Sequence, residues 1–200
     1  PPSTELELIV PDPITSTTKQ LKELAQQKYL EAIELFREVR MNDSFEKKWL
    51  RTAELLEGKC NEEIGEITEA KARYSQINEI FSGTDEAAAA NLFYAEIERD
   101  AGRFNDVLAI YDRAFETLRK NPDYACYWLT RKDIDKKAQD ILQWLMRRRD
   151  YRGGVVFLSL ARGIIGQADA VRLRGEFYEN WGKELYQQSQ TQPKLQPVGG

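Results

Sequence analysis

The sequence predicts an all-α protein built from stacked helical hairpins. Three observations predict this fold class. Helix-forming residues dominate from about residue 17 to residue 187, and no strand-like alternation of polar and apolar residues persists there. Apolar residues recur every three or four positions, most clearly in RFNDVLAIYDRAFETL at 103–118, so one face of a helix must be buried. The spacing within that stretch also returns at three other places in the chain.

Breaks in the apolar pattern separate the predicted helices. MNDSFE at 41–46 and SGTDE at 82–86 place capping residues ahead of an apolar segment. KNPD at 120–123 and DYRGG at 150–154 supply the proline and glycine typical of turns. The predicted helices therefore cover residues 17–40, 44–57, 61–81, 85–101, 104–119, 124–131, 133–149, 152–165 and 168–188.

One four-residue spacing recurs along these helices. An aromatic or aliphatic residue is followed by a compact residue three positions later, a large one seven later and a further apolar one ten later. Successive copies begin 38, 37 and 47 residues apart, close to a helix-turn-helix repeat, with room for a short extra helix in the last interval. We predict about four degenerate hairpins and a C-terminal capping helix. The copies are Tyr29, Ala32, Phe36, Val39; Ile67, Ala70, Tyr74, Ile77; Phe104, Val107, Tyr111, Ala114; and Tyr151, Gly154, Leu158, Ala161.

The segment 95–114 resembles the tetratricopeptide repeat (TPR), and NLFYAEIERDAGRFNDVLAIYDRAFE is also similar to the half-a-TPR (HAT) repeats of RNA-processing scaffolds. The resemblance implies a right-handed α-α superhelix, a TPR-like solenoid, whose first helices line a concave groove for an extended peptide or a partner's helix. An irregular helical bundle is the alternative. Position 154 departs from the pattern, because it is glycine where the repeat usually has alanine. The residues that carry the resemblance are Ala95, Gly102, Phe104, Val107, Tyr111 and Ala114.

Composition divides the chain into three parts. Residues 1–16 carry four prolines, and we interpret them as an extended N-terminal arm or linker. Residues 17–188 form the TPR-like helical repeat domain, and the polar segment 189–200 is expected to be a disordered tail. Because the chain begins with proline, we expect a processed product or a fragment. A cytoplasmic location is then expected only if no targeting segment has been removed.

The residue content disfavours most catalytic classes. The chain has no histidine, which is the commonest general base and metal ligand. Its two cysteines are far apart and form no CxxC motif. We therefore expect no enzyme activity, no metal and no cofactor, and the absence of an eighteen-residue apolar run predicts no membrane span. The crowded carboxylates at 62–69 are interpreted as a solvated surface.

Two groups of residues are candidates for partner binding. The repeat resemblance implies that Glu96 and Arg99 face the groove from one first helix, and it places on the next first helix Lys136, Gln139, Gln143 and Arg147. Separately, residues 131–174 contain eleven Lys or Arg against five Asp. We expect arginines at one turn of this region to converge, either as a docking surface or as a solvated face that balances the acidic first half. These are Arg147, Arg148, Arg149 and Arg152.

The sequence favours a non-catalytic scaffold or adaptor that binds a peptide or helix of a protein partner, with an acidic segment suited to the arginines. The alternative is an RNA-associated HAT-type scaffold that uses the basic region 131–174. A third hypothesis is an enzyme on an all-α frame, with the glutamates at 62–66 as its best candidates. The aromatic-rich segment FYENWGKELY at 177–186 either caps the last repeat or mediates self-association.

Overall fold

The structure is a computed structural model that describes residues 17–42 and 45–191, except for the side chains of 104–106. The predicted arm at 1–16, residues 192–200 of the predicted tail and the Phe104 side chain lie outside the described residues. Over the described part the chain forms eight α-helices and no β-strand, which confirms the all-α class. The helices are α1 (Thr18–Met41), α2 (Lys47–Glu63), α3 (Ile67–Ile80), α4 (Asp85–Asp100), α5 (Phe104–Lys120), α6 (Arg131–Arg147), α7 (Tyr151–Leu160) and α8 (Gln167–Thr191).

Several predicted helix boundaries were wrong. α2 continues through Gly58 to Glu63 instead of ending at 57, and it stops where Gly65 adopts a φ of 87°, which glycine adopts at low cost. The predicted helix at 124–131 does not form, because that segment is a loop held by tertiary contacts. α7 ends at Leu160 instead of 165, and α8 extends to Thr191, so the first three residues of the predicted tail are helical.

The chain divides into two compact units, residues 1–76 and 77–200. In the first unit α1 packs against α2. Tyr74 of α3 is fully buried, its hydroxyl donates to Glu62 at 2.8 Å, and its ring lies over Gly58. A Cβ at Gly58 would come within 2.7 Å of that ring, so glycine is required in mid-helix here.

A buried ion cluster also ties the helices of the first unit together. Glu54 and Glu57 project from α2 and are almost inaccessible to solvent. Arg40 of α1 lies 3.0 Å from a carboxylate oxygen of Glu54 and 2.8 Å from one of Glu57. Arg73 of α3 lies 3.1 Å from Glu57. Burial raises the pKa of Glu54, although Arg40 and Arg73 act in the opposite direction.

In the second unit α4 packs against α5, α6 against α7, and α7 against both α5 and α8. Four consecutive alanines of α4, residues 87–90, are buried. Their small side chains let a neighbouring helix approach closely. At the centre the rings of Tyr111 and Phe115 on α5 and Phe157 on α7 lie with centroids 5.1 to 5.8 Å apart. These rings form the aromatic core of the unit.

The recurring four-residue spacing identifies buried positions in three helices. Its last three positions are buried in α3, in α5 and in α7 with its C-cap residue Ala161, whereas in α1 they are only partly buried. The pattern therefore marks the core-facing stripe of α3, α5 and α7, and four neighbouring pairs pack together: α1 with α2, α4 with α5, α6 with α7, and α7 with α8. The buried residues are Ala70, Tyr74, Ile77; Val107, Tyr111, Ala114; and Gly154, Leu158, Ala161.

The loop between α5 and α6 is fixed by polar contacts. The carboxylate of Asp85, at the start of α4, accepts from the side chain of Asn121 at 2.5 Å and from the backbone N–H of Ala125 at 2.9 Å. The guanidinium of Arg131 donates to the carbonyls of Leu118, Asn121 and Pro122. These contacts satisfy backbone groups that a helix would otherwise pair.

None of the described helices is both long and apolar enough to span a bilayer.

Candidate functional site

The predicted groove residues lie on α4 and α6 of the second unit, where Glu96 and Arg99 are only partly exposed. Glu96 of α4 is bound by Lys137 of α6, whose Nζ lies 2.6 and 2.7 Å from the two carboxylate oxygens. Arg99 pairs with the adjacent Asp100 at 2.7 Å. The sequence prediction named the neighbouring Lys136 instead of Lys137. Successive residues point about 100° apart around a helix, so an error of one residue selects a different face of α6.

The buried hydroxyl of Tyr111 interacts electrostatically with Glu96 and Arg99. Burial raises the pKa of Tyr111 far above its ordinary value, the charge of Glu96 adds to this, and Arg99 opposes it. The hydroxyl has no hydrogen-bond partner among the described residues. Tyr111 is therefore a neutral packing residue under the charged surface of α4 and α6.

The other predicted groove residues are not brought into one site with Glu96. Lys136 and Gln143 are exposed, and Gln139 donates to Asp135 on its own helix at 3.0 Å. Arg147 lies at the end of α6. In the part of the chain that the structure describes, only Lys137 of α6 forms an ion pair with Glu96.

The four arginines predicted at the turn are all exposed, Arg149 and Arg152 line one cavity, and we call Arg147, Arg148, Arg149 and Arg152 the basic corner. α6 ends at Arg147, and α7 begins after Asp150, whose carboxylate accepts from the N–H at position 153 at 2.8 Å. Arg149 has a φ of 58°, a left-handed conformation uncommon for a residue other than glycine. This tight reversal places four exposed guanidinium groups at one end of the α6–α7 hairpin.

The basic corner retains its positive charge. No carboxylate among the described residues forms an ion pair with any of its four arginines, and Arg148 instead lies over the Trp144 ring at 4.6 Å from its centroid. Two cations of α8 in the same unit are paired locally: Arg172 pairs with Glu176 at 2.6 Å, and Lys183 with Glu179 at 2.6 Å. The corner is thus a local concentration of charge available to a partner.

A cavity of about 180 Å³ lies between the basic corner and α8. Arg149 and Arg152 line it from the turn, and Trp181 and Leu185 line it from α8. Trp181 stacks on Tyr178, with ring centroids 6.4 Å apart. Glu184 also lines the cavity, and its Oε2 is buried with no hydrogen-bond partner in the described residues. Asp150 lines it as well, so the cavity combines guanidinium donors, an indole wall and two carboxylates.

A larger cavity, of about 370 Å³, lies between the start of α4 and the end of α5. Asn91 lines it and is 5% exposed, and its Oδ1 accepts no hydrogen bond from the described residues. Arg113 lines the same cavity, and a pair between Glu116 and Lys120 at 2.6 Å closes one side. This cavity was not predicted from the sequence, where the available signal was the polar Asn91 inside the apolar run AAAANLF.

The described residues contain no cluster of three metal-ligating side chains. The carboxylates at 62–69 are dispersed: Glu62 and Glu63 pair with Lys59 at 3.0 and 3.2 Å, and Glu66 and Glu69 are exposed. Burial raises the pKa of both thiols, Cys60 and Cys126, which makes the nucleophilic thiolate scarcer. These groups do not converge on a reaction centre.

Comparison with known proteins gives no relative: no protein-family model, no curated protein and no solved structure matches this chain.

Proposed function

We propose that this chain is a non-catalytic scaffold that binds an acidic segment of a partner protein at the basic corner. The observation that carries the proposal is the set of four exposed arginines without carboxylate partners, beside a cavity walled by Trp181. The chain as a whole has a net charge of -4, so this concentration of positive charge is local. A local field of this kind steers and orients an oppositely charged partner.

The chemistry of the corner fits a peptide side chain. Guanidinium groups bind carboxylates through paired, charge-assisted hydrogen bonds. The adjacent cavity, at about 180 Å³, is smaller than the roughly 300–1,000 Å³ of typical small-molecule sites. We infer that it receives one apolar anchor residue of the partner against Trp181, while neighbouring acidic residues bind Arg149 and Arg152.

RNA binding is the less favoured alternative. Asp150 and Glu184 stand in the same cavity as the arginines and would repel a phosphate backbone. Two other cations of the basic region 131–174 are already engaged within the chain, because Lys137 is bound to Glu96 and Arg172 to its own helix. An acidic peptide can place uncharged residues beside Asp150 and Glu184, whereas a nucleic-acid backbone carries a charge at every phosphate.

We also propose that the helices form a right-handed, TPR-like superhelix, with the HAT variety as its subtype. Support comes from the burial of the recurring positions in α3, α5 and α7 and from the packing of sequential helices. A crystal structure in which these helices form an irregular bundle would overturn this part of the proposal.

Fluorescence anisotropy tests the binding proposal. The probes are a labelled peptide that combines several Glu and Asp with one Leu or Phe, its Gln/Asn counterpart, and a labelled U-rich single-stranded RNA. We expect the acidic peptide to bind, and reversal of all four corner arginines to Glu to weaken binding at least tenfold. Each charge-assisted hydrogen bond contributes about 1.5–3 kcal/mol, and about 1.4 kcal/mol is tenfold.

The matched control reverses two cations on α8 that are already paired, Arg172→Glu with Lys183→Glu. This control should retain at least half of the affinity, provided that circular dichroism shows both variants folded. Absence of acidic-peptide binding, or an equal loss in both variants, would refute the proposal. Binding of RNA alone, abolished by the corner variant, would replace it with the RNA-associated alternative.

A further inference from the structure

The outward face of α8 carries an apolar stripe that the described chain leaves uncovered. Val171, Tyr178 and Leu185 are 68, 53 and 54% exposed, and they are seven residues apart, so they lie above one another on one side of the helix. Tyr186 borders the stripe and is 68% exposed. The helix contacts its own unit through a different face, where Phe177 is fully buried.

The remaining outward side of α8 is charged and satisfied within the helix. Arg172 pairs with Glu176 and Asp169, and Lys183 pairs with Glu179. Pairs at i,i+3 and i,i+4 keep these charges on the side away from the apolar stripe. The solvent-facing half of α8 is therefore amphipathic. On its polar side these charged residues are paired within the helix, and on its apolar side the stripe is exposed.

Two glycines within this stripe, Gly175 and Gly182, are not required by any close contact within the described chain. A glycine inside a helix costs about 1 kcal/mol relative to alanine. At Gly58 and Gly154 a side chain would collide with a neighbouring ring, but a Cβ at Gly175 or Gly182 would meet nothing within 4 Å. Mid-helix glycines that face open space allow another backbone or a large side chain to approach closely.

We propose that the α8 stripe docks antiparallel onto α8 of a second copy of this chain. The register follows from the spacing of large and small residues about Asn180. Tyr178 and Gly182 lie at equal distances along the sequence from position 180, and so do Leu185 and Gly175. With a two-fold axis level with residue 180, each large side chain therefore faces a glycine of the other copy.

The same register brings together a third pair. Arg174 and Tyr186 are also equidistant from position 180, so each guanidinium faces a tyrosine ring of the other copy, as in a cation–π pair. A two-fold contact requires a surface that is complementary to itself. Three pairs that match in one register favour a second copy over an unrelated partner.

The contact is short, which sets its strength. Residues 171–186 span about 24 Å at 1.5 Å per residue. A single helix pair of this length is smaller than a standard interface of about 1,600 Å². We therefore expect a reversible dimer that dissociates on dilution.

Sedimentation velocity over a concentration series of the 200-residue chain tests this proposal. The wild type should pass from monomer to dimer as concentration rises. Gly175→Ala with Gly182→Ala should weaken dimerisation at least tenfold while raising the melting temperature of the monomer, because alanine is the better helix former. A merely structural effect on α8 would not move these two quantities in opposite directions.

The matched control is Glu179→Ala with Lys183→Ala, on the charged side of the same helix, and it should leave the dissociation constant unchanged. For the orientation, copies carrying Tyr178→Cys are mixed with copies carrying Gly182→Cys in a Cys60→Ser background. The antiparallel register predicts the mixed disulfide as the main product. A wild type that stays monomeric, glycine variants with unchanged dissociation, or cross-linking mainly between two Tyr178→Cys copies would overturn the proposal, whatever the outcome at the basic corner.

Discussion

Substitution of Gly154 tests the packing of α7 on α8. A Cβ built on Gly154 would lie 2.0 Å from Cε1 of Phe177, and two further ring carbons lie at 2.4 and 2.5 Å. Favourable contacts between carbon atoms are about 3.5–4.0 Å. Phe177 is fully buried, so its ring has no solvent-filled space into which it can move. Gly154→Ala must therefore displace the ring or separate the two helices.

Two opposing contributions decide the magnitude. Alanine gains about 1 kcal/mol of helix propensity over glycine in a helix interior. Overpacking a core usually costs about 1–3 kcal/mol, and so deep an overlap belongs at the upper end of that range or above it. We expect Gly154→Ala to lower the free energy of unfolding by about 2 kcal/mol or more, net. Gly182→Ala, whose added Cβ meets nothing, is the matched control and should raise it by about 1 kcal/mol.

Urea unfolding followed by tryptophan fluorescence measures both variants. A Trp49→Phe background restricts the signal to the second unit, which contains the other three tryptophans. Adding Phe177→Leu should relieve the overlap, so the double variant with Gly154→Ala should be more stable than the sum of the single effects by at least about 1 kcal/mol. If Gly154→Ala stabilises the unit as Gly182→Ala does, the close contact between α7 and α8 is incorrect.

Three other substitutions probe polar contacts. Glu57→Ala should destabilise the first unit by about 1–3 kcal/mol in urea, because it removes a buried carboxylate from the partly buried Arg40 and Arg73, whereas the exposed Glu63→Ala should stay within about 0.5 kcal/mol. Asp85→Ala should speed amide exchange in the α5–α6 loop and cost about 1–3 kcal/mol; unchanged exchange would contradict its anchoring role. Hydrogen bonds from Thr130 lower the pKa of Asp133, so a carboxyl NMR titration should place it below about 3.9, and Thr130→Val should raise it. Because this pKa is lower in the folded state, the stabilisation is present above the unfolded-state pKa and is lost as pH falls through the folded-state value.

Periodicity predicted the helices of this protein well because it reports directly on burial. A residue that recurs every three or four positions lies on one helix face, and the recurring stripe of α3, α5 and α7 is indeed buried. The errors arose where contacts between residues distant in sequence decide the local structure. From the sequence alone Gly58 indicates the end of a helix, but in the structure it lies within α2, where the ring of Tyr74 leaves no room for a side chain. The segment 124–131 has helical composition, yet Asp85 binds its backbone in a loop.

The candidate sites were predictable to different degrees for a similar reason. The basic corner could be inferred because its arginines are adjacent in sequence at a recognisable turn. The partner of Glu96 could not, since choosing Lys137 over Lys136 requires the rotation of α6 relative to α4. The isolated carbonyl oxygen of Asn91 and the empty space beside Gly182 are properties of the assembled helices, and a sequence pattern does not contain them.

The basic corner and the α8 stripe are adjacent, since Leu185 belongs to the stripe and also lines the cavity beside Arg149. Their chemistry nevertheless predicts opposite responses to salt. Ions screen the attraction between exposed guanidinium groups and an acidic peptide, so the measured affinity should fall as ionic strength rises. Sulfate strengthens apolar burial, so the α8 dimer should persist to greater dilution when the added salt is ammonium sulfate. Parallel anisotropy and sedimentation series in this salt should therefore diverge. If both interactions weakened together, the dimer contact would be mainly electrostatic, and the apolar stripe would not be its basis.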